Sequence, residues 1–220
     1  YVGGASKGIG RAAAEALAEM GASVTVAARS AGALDEVVAA MSTDAGQKHG
    51  RAVVDNDNPD ELIKRVREEL DGTPFHILVN NTAGPPGGPV FDAAPEEFEN
   101  AFRRHLICNQ RLAHLLVPGM RDAGYGRIVN IISTSVYEPI AGLGVSNTVR
   151  GAVASWAKTL ADELAPDDIT VNNILPGFTR TERLENLFRN KAEKAGKSFE
   201  EIEKAALAGV PMGRFAEPEE

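Results

Sequence analysis

The chain has 220 residues, enough for one sizeable core, and 43% of them are hydrophobic, which excludes a disordered or fibrous chain. A formal charge of −8 repels a phosphate backbone, so no nucleic acid is expected as a partner. Cys108 is the only cysteine, which rules out a disulfide within the chain, and no apolar run reaches the about 20 residues that a membrane span needs; the cytoplasm is the expected setting.

In chain order, Tyr1-Val2 stands directly before a glycine-rich loop, with no initiator methionine. A strand is expected ahead of such a loop, so the sequence reads as trimmed there, and again at the helix-starting pattern Pro218-Glu219-Glu220. Periodicity then predicts a helix over 9–20, a strand over 23–28 and a helix over 33–41. A strand over 51–54, a helix over 59–70 and a strand over 75–80 follow. One long helix is predicted over 95–118, a strand over 127–132, a helix over 146–164 and a strand over 169–174. Pro59 and Pro95 suit a first helical turn, and Gly21 and Gly72 suit helix ends. The strands carry few alternating polar residues, which means burial on both faces. The fold class is therefore α/β: a doubly wound, Rossmann-type parallel sheet in one domain over 1–220, with ligands beyond the carboxyl ends of its strands. Residues 179–208 are helical and charged with a break at Gly196, so 179–212 is expected to form a lid over a small-molecule substrate.

The loop Gly3-Gly4-Ala5-Ser6-Lys7-Gly8-Ile9-Gly10 joins the first strand to the first helix. Gly4 permits a tight turn, Gly8 lets backbone approach a pyrophosphate, and Gly10 lets helix and strand pack closely. The helix start adds unpaired N–H groups and the positive end of a dipole. A glycine trio alone is common in turns; strand, loop, helix and next strand in succession make it a dinucleotide signal. An NAD site wants an acid at the end of the second strand, but that strand ends Ala27-Ala28-Arg29-Ser30. Arg29 can pair with a 2′-phosphate and Lys7 adds a second positive charge, so NADP(H) is expected in preference to NAD(H). The plain alternative is that both are solvated surface charges.

With these motifs in place the sequence resembles the classical short-chain dehydrogenase/reductase family, especially its 3-oxoacyl-carrier-protein reductase-like branch, over nearly its whole length. Gly4, Gly8 and Gly10 match the family's glycine motif, with Gly3 where threonine is usual. The resemblance implies that Asp55, with Asn56 beside it, contacts adenine. It equates Asn80-Asn81-Thr82-Ala83-Gly84 with the family's Asn-Asn-Ala-Gly segment, departing at Thr82, so Asn81 and Thr82 join the nucleotide contacts. It equates Pro176-Gly177-Phe178-Thr179-Arg180-Thr181 with the Pro-Gly motif, where Thr181 would hold the nicotinamide carboxamide beside Pro176, Gly177 and Thr179. It also implies a homo-oligomer, tetramer or dimer. Phe98, Phe102, Leu106, Leu112 and Leu116, with the small residues and Trp156 of 151–164, are the expected interface.

The family's catalytic group is asparagine, serine, tyrosine and lysine. Ser133 keeps the serine, but the tyrosine and lysine positions fall on Ser146 and Arg150, and the asparagine position on His105. Hydride addition to a carbonyl leaves an alkoxide that needs a proton. A phenol with pKa about 10 can supply it beside an ammonium; a serine hydroxyl is far weaker, and arginine cannot lose its proton. Arg150 can still donate to ribose hydroxyls or a substrate anion. Tyr137, four residues past Ser133, and His105 are the substitute donors; a loop tyrosine and a core histidine are the plainer readings of each. His49, His76, His105 and His114 lack metal-ligand spacing, and no Gly-x-Ser-x-Gly elbow is present. Two functions stay open: an NADP(H)-dependent carbonyl or alcohol oxidoreductase with an atypical site, and an NADP(H)-binding sensor or oligomer partner without turnover.

Overall fold

In a computed structural model, which describes residues 1–70 and 72–220, six strands form one sheet in the order β3-β2-β1-β4-β5-β6, every pairing parallel. They are β1 (Val2–Gly3), β2 (Thr25–Ala28), β3 (Gly50–Val53), β4 (Ile77–Asn80), β5 (Gly126–Ile131) and β6 (Ile169–Ile174). Parallel neighbours need long crossovers, and helices supply them: α1 (Gly8–Glu19), α2 (Ala31–Ala40), α3 (Pro59–Leu70), α4 (Pro95–Phe102), α5 (Cys108–Ala123) and α6 (Gly144–Leu164). Two more, α7 (Glu182–Ala195) and α8 (Phe199–Leu207), follow the last strand. No helix among the described residues is long and apolar enough to cross a membrane.

The sheet is buried on both faces by two distinct clusters. Val26, Val79 and Ile131 meet Ala14 and Ala18 of α1 and Leu34 and Val37 of α2 on one side. Leu78, Ile128 and Val171 meet Leu62 and Val66 of α3, Leu112 and Leu116 of α5 and Ala157 of α6 on the other. Leu112 and Leu116 are 3% and 2% exposed within a single chain, so they cover the sheet and are not available for the interface expected of them. Phe98 and Phe102 are likewise drawn inward, against Ala101, Val145 and Val149.

Two strands begin later than the sequence predicts, at Thr25 and Ile77. The helix expected over 95–118 differs more. A π turn, Arg103–Ile107, interrupts it, and it continues past Pro118 to Ala123, where Gly124 caps it with a left-handed backbone. Proline removes one helical hydrogen bond, to the carbonyl four residues back. That residue is His114, which is exposed, as Pro118 is, so the loss falls on the solvent side of the helix.

The chain divides into two compact units, Tyr1–Leu175 and Pro176–Glu220. The second holds the expected lid and has a core of its own. Phe188 and Phe215 are buried with Ala192 and Ile202, and Phe178, Leu184 and Phe199 pack against them. The apolar stripe of α7 is thus consumed inside the unit. Phe178 and Phe215 approach with ring centroids 5.5 Å apart, and Thr179 bridges to Ala216.

The sheet's order reverses between β1 and β4, and there backbones approach most closely. Gly4 turns with φ +58°, and a Cβ on Gly10 would stand 2.3 Å from the Gly4 carbonyl oxygen and 2.6 Å from Asn81 Nδ2. Gly10→Ala is therefore expected to cost about 2–3 kcal/mol by overpacking, read from urea unfolding. Gly32→Ala, at a helical position with open space, should be neutral or stabilising by up to about 1 kcal/mol. Equal stability of the two variants would contradict the close approach.

Candidate active site

In the first unit, Ser6, Lys7, Arg29, Ser30, Asp55, Asn56, Asn81, Thr82 and Ser133 all lie in segments that follow the carboxyl ends of their strands. At the switch between β1 and β4, Asn81 Nδ2 donates to the carbonyls of Gly3 and Gly4, both at 3.2 Å. This side chain ties the loop after β4 to the glycine turn. Lys7 is the N-cap of α1, and its side chain makes no capping bond. The first-turn amides of α1 therefore face a turn of glycine and small residues, which suits an anion. At the end of β2, Arg29 and Ser30 are exposed, and Ser30 Oγ accepts from Ala33 N at 3.4 Å as the cap of α2. The nearest acid in sequence, Asp35, is engaged with Arg51. A dinucleotide fits these residues: the turn is open to backbone approach, and the exposed cation at β2 has no acid beside it in sequence.

Beyond β3, Asp55 is exposed, and its Oδ1 accepts the Asp57 amide at 3.0 Å, which holds the loop in a tight turn. Asn56 is half-buried and donates through Nδ2 to the Arg104 carbonyl at 3.2 Å. Thr82 is half-buried beside Asn81.

Ser133 follows β5 and caps a short 3₁₀ turn, Thr134–Val136; its Oγ accepts from Ser135 N at 3.1 Å and keeps its own proton to donate. Arg150 Nη1 donates to the Ile131 carbonyl at 2.7 Å, so α6 is pinned to the end of β5 two residues before Ser133. Ser146 lies one turn earlier on α6 and is 7% exposed. The structure thus draws Ser133, Arg150 and the helix bearing Ser146 to one strand end. His105 sits in the π turn and is 2% exposed, the burial expected of a core histidine. Tyr137 is different: the residue is 86% exposed in the loop after the 3₁₀ turn, so packing does not hold its phenol at a fixed place, as proton donation requires.

Three features escape sequence reading. Asn80 Nδ2 donates to Asn130 Oδ1 at 2.8 Å, and Asn130 Nδ2 to Asn173 Oδ1 at 3.1 Å. These residues are directly in register on β4, β5 and β6, and an asparagine near the end of three apolar strands was the available signal. The loop after β4 also supports the start of α6. Gly88 N donates to Gly142 O at 2.8 Å and Gly144 N to Gly88 O at 3.0 Å, and a Cβ on Gly144 would come within 2.5 Å of Val90 Cα. Asn147 closes the same corner, donating through Nδ2 to Ile140 O at 2.9 Å. A cavity of about 570 Å³ lies at the opposite, amino-terminal edge of the sheet, among Tyr1, Val24, Thr25, Phe75 and Ile77, and contains none of these residues.

In the second unit, Thr181 caps α7. Its Oγ1 accepts from Leu184 N at 3.3 Å and donates to Thr179 O at 3.3 Å. Pro176 and Gly177 open the unit.

The profile of the family described as short chain dehydrogenase matches residues 1–192. The chain is 34% identical over 220 residues to an acetoacetyl-CoA reductase of Paracoccus denitrificans, covering all of this chain and 85% of that one. It is 28% identical over 221 residues to a tropinone reductase homologue of Arabidopsis thaliana, covering all of this chain and 66% of the relative. Among solved structures, L-sorbose reductase from Gluconobacter frateurii, complexed with NADPH and L-sorbose, matches with a TM-score of 0.89 and 29% identity over 99% of this chain and 84% of that one. The crevice between β1 and β4, the serine after β5 and the match over most of the sequence agree: this chain belongs to the short-chain dehydrogenase family of oxidoreductases.

Proposed function

We propose that the chain is an NADP(H)-dependent reductase of a small carbonyl compound, in which proton delivery, not cofactor binding, limits the reaction. The carrying observation is Arg29, exposed at the end of β2 with no acid beside it in sequence, next to a helix start open to phosphate. Two relatives named as reductases, of acetoacetyl-CoA and of L-sorbose, support the carbonyl substrate, and the NADPH in the second supports the cofactor.

When bound, the cofactor supplies the hydride. Arg29 and Lys7 neutralise the 2′-phosphate, the amides at the start of α1 receive the pyrophosphate, and Asp55 accepts from adenine. Thr181 orients the nicotinamide carboxamide through the acceptor position its Oγ1 keeps beside its two local hydrogen bonds. Ser133 Oγ donates to the substrate oxygen. Arg150 stabilises negative charge that develops there, or on the ribose hydroxyls, and remains charged throughout. The weak step is the proton. Ser146, where the family keeps a tyrosine, offers an alcohol, and the guanidinium one turn on cannot make it a useful acid. His105 is buried enough to be held still and is the better substitute donor; Tyr137 is too exposed to be positioned.

Cofactor titration by fluorescence or calorimetry should show NADP(H) binding more than about tenfold tighter than NAD(H), from a charge-assisted contact of about 1.5–3 kcal/mol. Arg29→Ala should remove most of that preference, Lys7 retaining the rest, while leaving NAD(H) affinity nearly unchanged. Equal affinities in the wild type would overturn the assignment.

Ser146→Tyr with Arg150→Lys should raise turnover of simple ketones and β-ketoesters at least about tenfold, part of the roughly 10²–10⁴ that a positioned general acid contributes. Each change alone should do less, because the ammonium is what makes the phenol acidic enough. Ser146 is buried beside Val145, so folding and NADPH binding of each variant are checked first. A well-folded, NADPH-binding double variant no faster than the wild type would show that the proton comes from elsewhere.

A further inference from the structure

The loop after β3 and the π turn before α5 are bonded at three points across about fifty residues of sequence. The Asp57 carboxylate takes Arg104 Nε on one oxygen and Nη2 on the other, the latter at 2.7 Å. Asn56 Nδ2 donates to the Arg104 carbonyl at 3.2 Å. The Cys108 thiol donates to the Asn56 carbonyl at 3.3 Å; burial pushes its pKa up to about 11, so it keeps its proton at neutral pH. Asp55 enters the same chain of bonds, because its Oδ1 accepts the Asp57 amide. The path from Asp55 through Asp57 to Arg104 is unbroken, and His105 is the next residue.

Folding stability is a poor explanation for this arrangement. The Arg104 and Asp57 side chains are 37% and 46% exposed, and ion pairs in that setting add little. What a two-pronged carboxylate–guanidinium contact supplies is direction. A π turn gives it something to direct: the turn departs from α-helical spacing, and such turns recur at functional sites. Here it carries His105 into the interior, with Arg104 on one side and Cys108 beyond it, both bonded to the loop.

We propose that these contacts form a positioning latch that sets His105 from the loop carrying Asp55, so that seating of adenine on that loop and seating of His105 are linked. The proposal rests on the reading that this loop receives the adenine of the nucleotide. Asp57 and Arg104 are positioning residues. Linkage is reciprocal: if adenine tightens the π turn, a change that loosens the turn weakens adenine binding, at most by the factor that adenine tightens it.

Adenosine 2′,5′-bisphosphate carries the adenine and 2′-phosphate but no nicotinamide, so it can reach His105 only through the protein. The His105 imidazole signal is followed by NMR, identified by its loss in His105→Gln. In the wild type, saturating bisphosphate should move the signal. In Arg104→Gln the signal should already be displaced without ligand, its response should fall below half, and the dissociation constant for bisphosphate should rise roughly fivefold. Arg104→Lys, which keeps charge but loses the two-pronged contact, should lie between. Asp57→Asn, nearly isosteric, should reproduce Arg104→Gln and guards against a variant that merely misfolds. Bisphosphate binding with no movement of His105, or an Arg104→Gln response equal to the wild type, would overturn the latch while leaving the nucleotide reading intact. Failure of the bisphosphate to bind the wild type would overturn that reading and the latch with it.

Discussion

The first unit depends on one crowded contact, where the turn after β1 meets the start of α1 and the loop after β4. Gly10 has no room for a side chain against the Gly4 carbonyl, and the Asn81 amide fills the remaining space by donating to two successive carbonyls. This contact holds β1 and β4 together at the point where the sheet's order reverses. It also leaves the first-turn amides of α1 without a side-chain cap, because the N-cap residue is Lys7, whose ammonium has no acceptor to offer. The nucleotide crevice is thus a by-product of tight packing: the residues that allow the approach are the same ones that leave the helix start open to an anion.

A second set of constraints shapes the substrate end. The asparagine ladder across β4, β5 and β6 bonds three polar side chains to one another in or beside an apolar sheet, which offsets part of the cost of their burial, while Asn80 Oδ1 stays buried without a partner among the described residues. Arg150 is drawn in by the Ile131 carbonyl, and the Gly88–Gly144 pairing fixes where α6 begins. Ser133 and Arg150 are consequently held by bonds to backbone. On the proposed reading, rigid placement does not make an acid of a serine, and the group at position 146 sets the limit.

Much of this was legible in sequence because it follows from local rules. The parallel sheet shows in five apolar runs and the helix starts in Pro59 and Pro95, while Arg29 with no acid beside it is visible by inspection. What was not legible depends on partners distant in sequence. The π turn at Arg103–Ile107 has no composition signal; it is tied to Asn56 and Asp57, nearly fifty residues earlier. The long helix ran past Pro118 because tertiary packing of Leu112, Leu116 and Met120 outweighs one lost bond on the solvent side. The same packing explains why Leu112 and Leu116 looked like interface residues: periodicity reports an apolar face but not what covers it. Tyr137 appeared a plausible donor from its spacing alone, and only its exposure separates it from His105.

The most direct measurement is a stopped-flow single turnover of wild-type protein preloaded with NADPH, mixed with a panel of ketones and β-ketoesters and followed at the cofactor's absorbance. A chain that binds NADP(H) well but lacks a strong acid should consume the bound cofactor measurably with at least one carbonyl, slowly compared with the about ten per second typical of enzymes, and more slowly still in His105→Gln. Oxidation at typical enzyme rates, unchanged in His105→Gln and Tyr137→Phe, would show that the missing phenol does not limit the reaction. No oxidation with any carbonyl, despite tight NADPH binding, would mean that the fold holds its nucleotide for a purpose other than reduction.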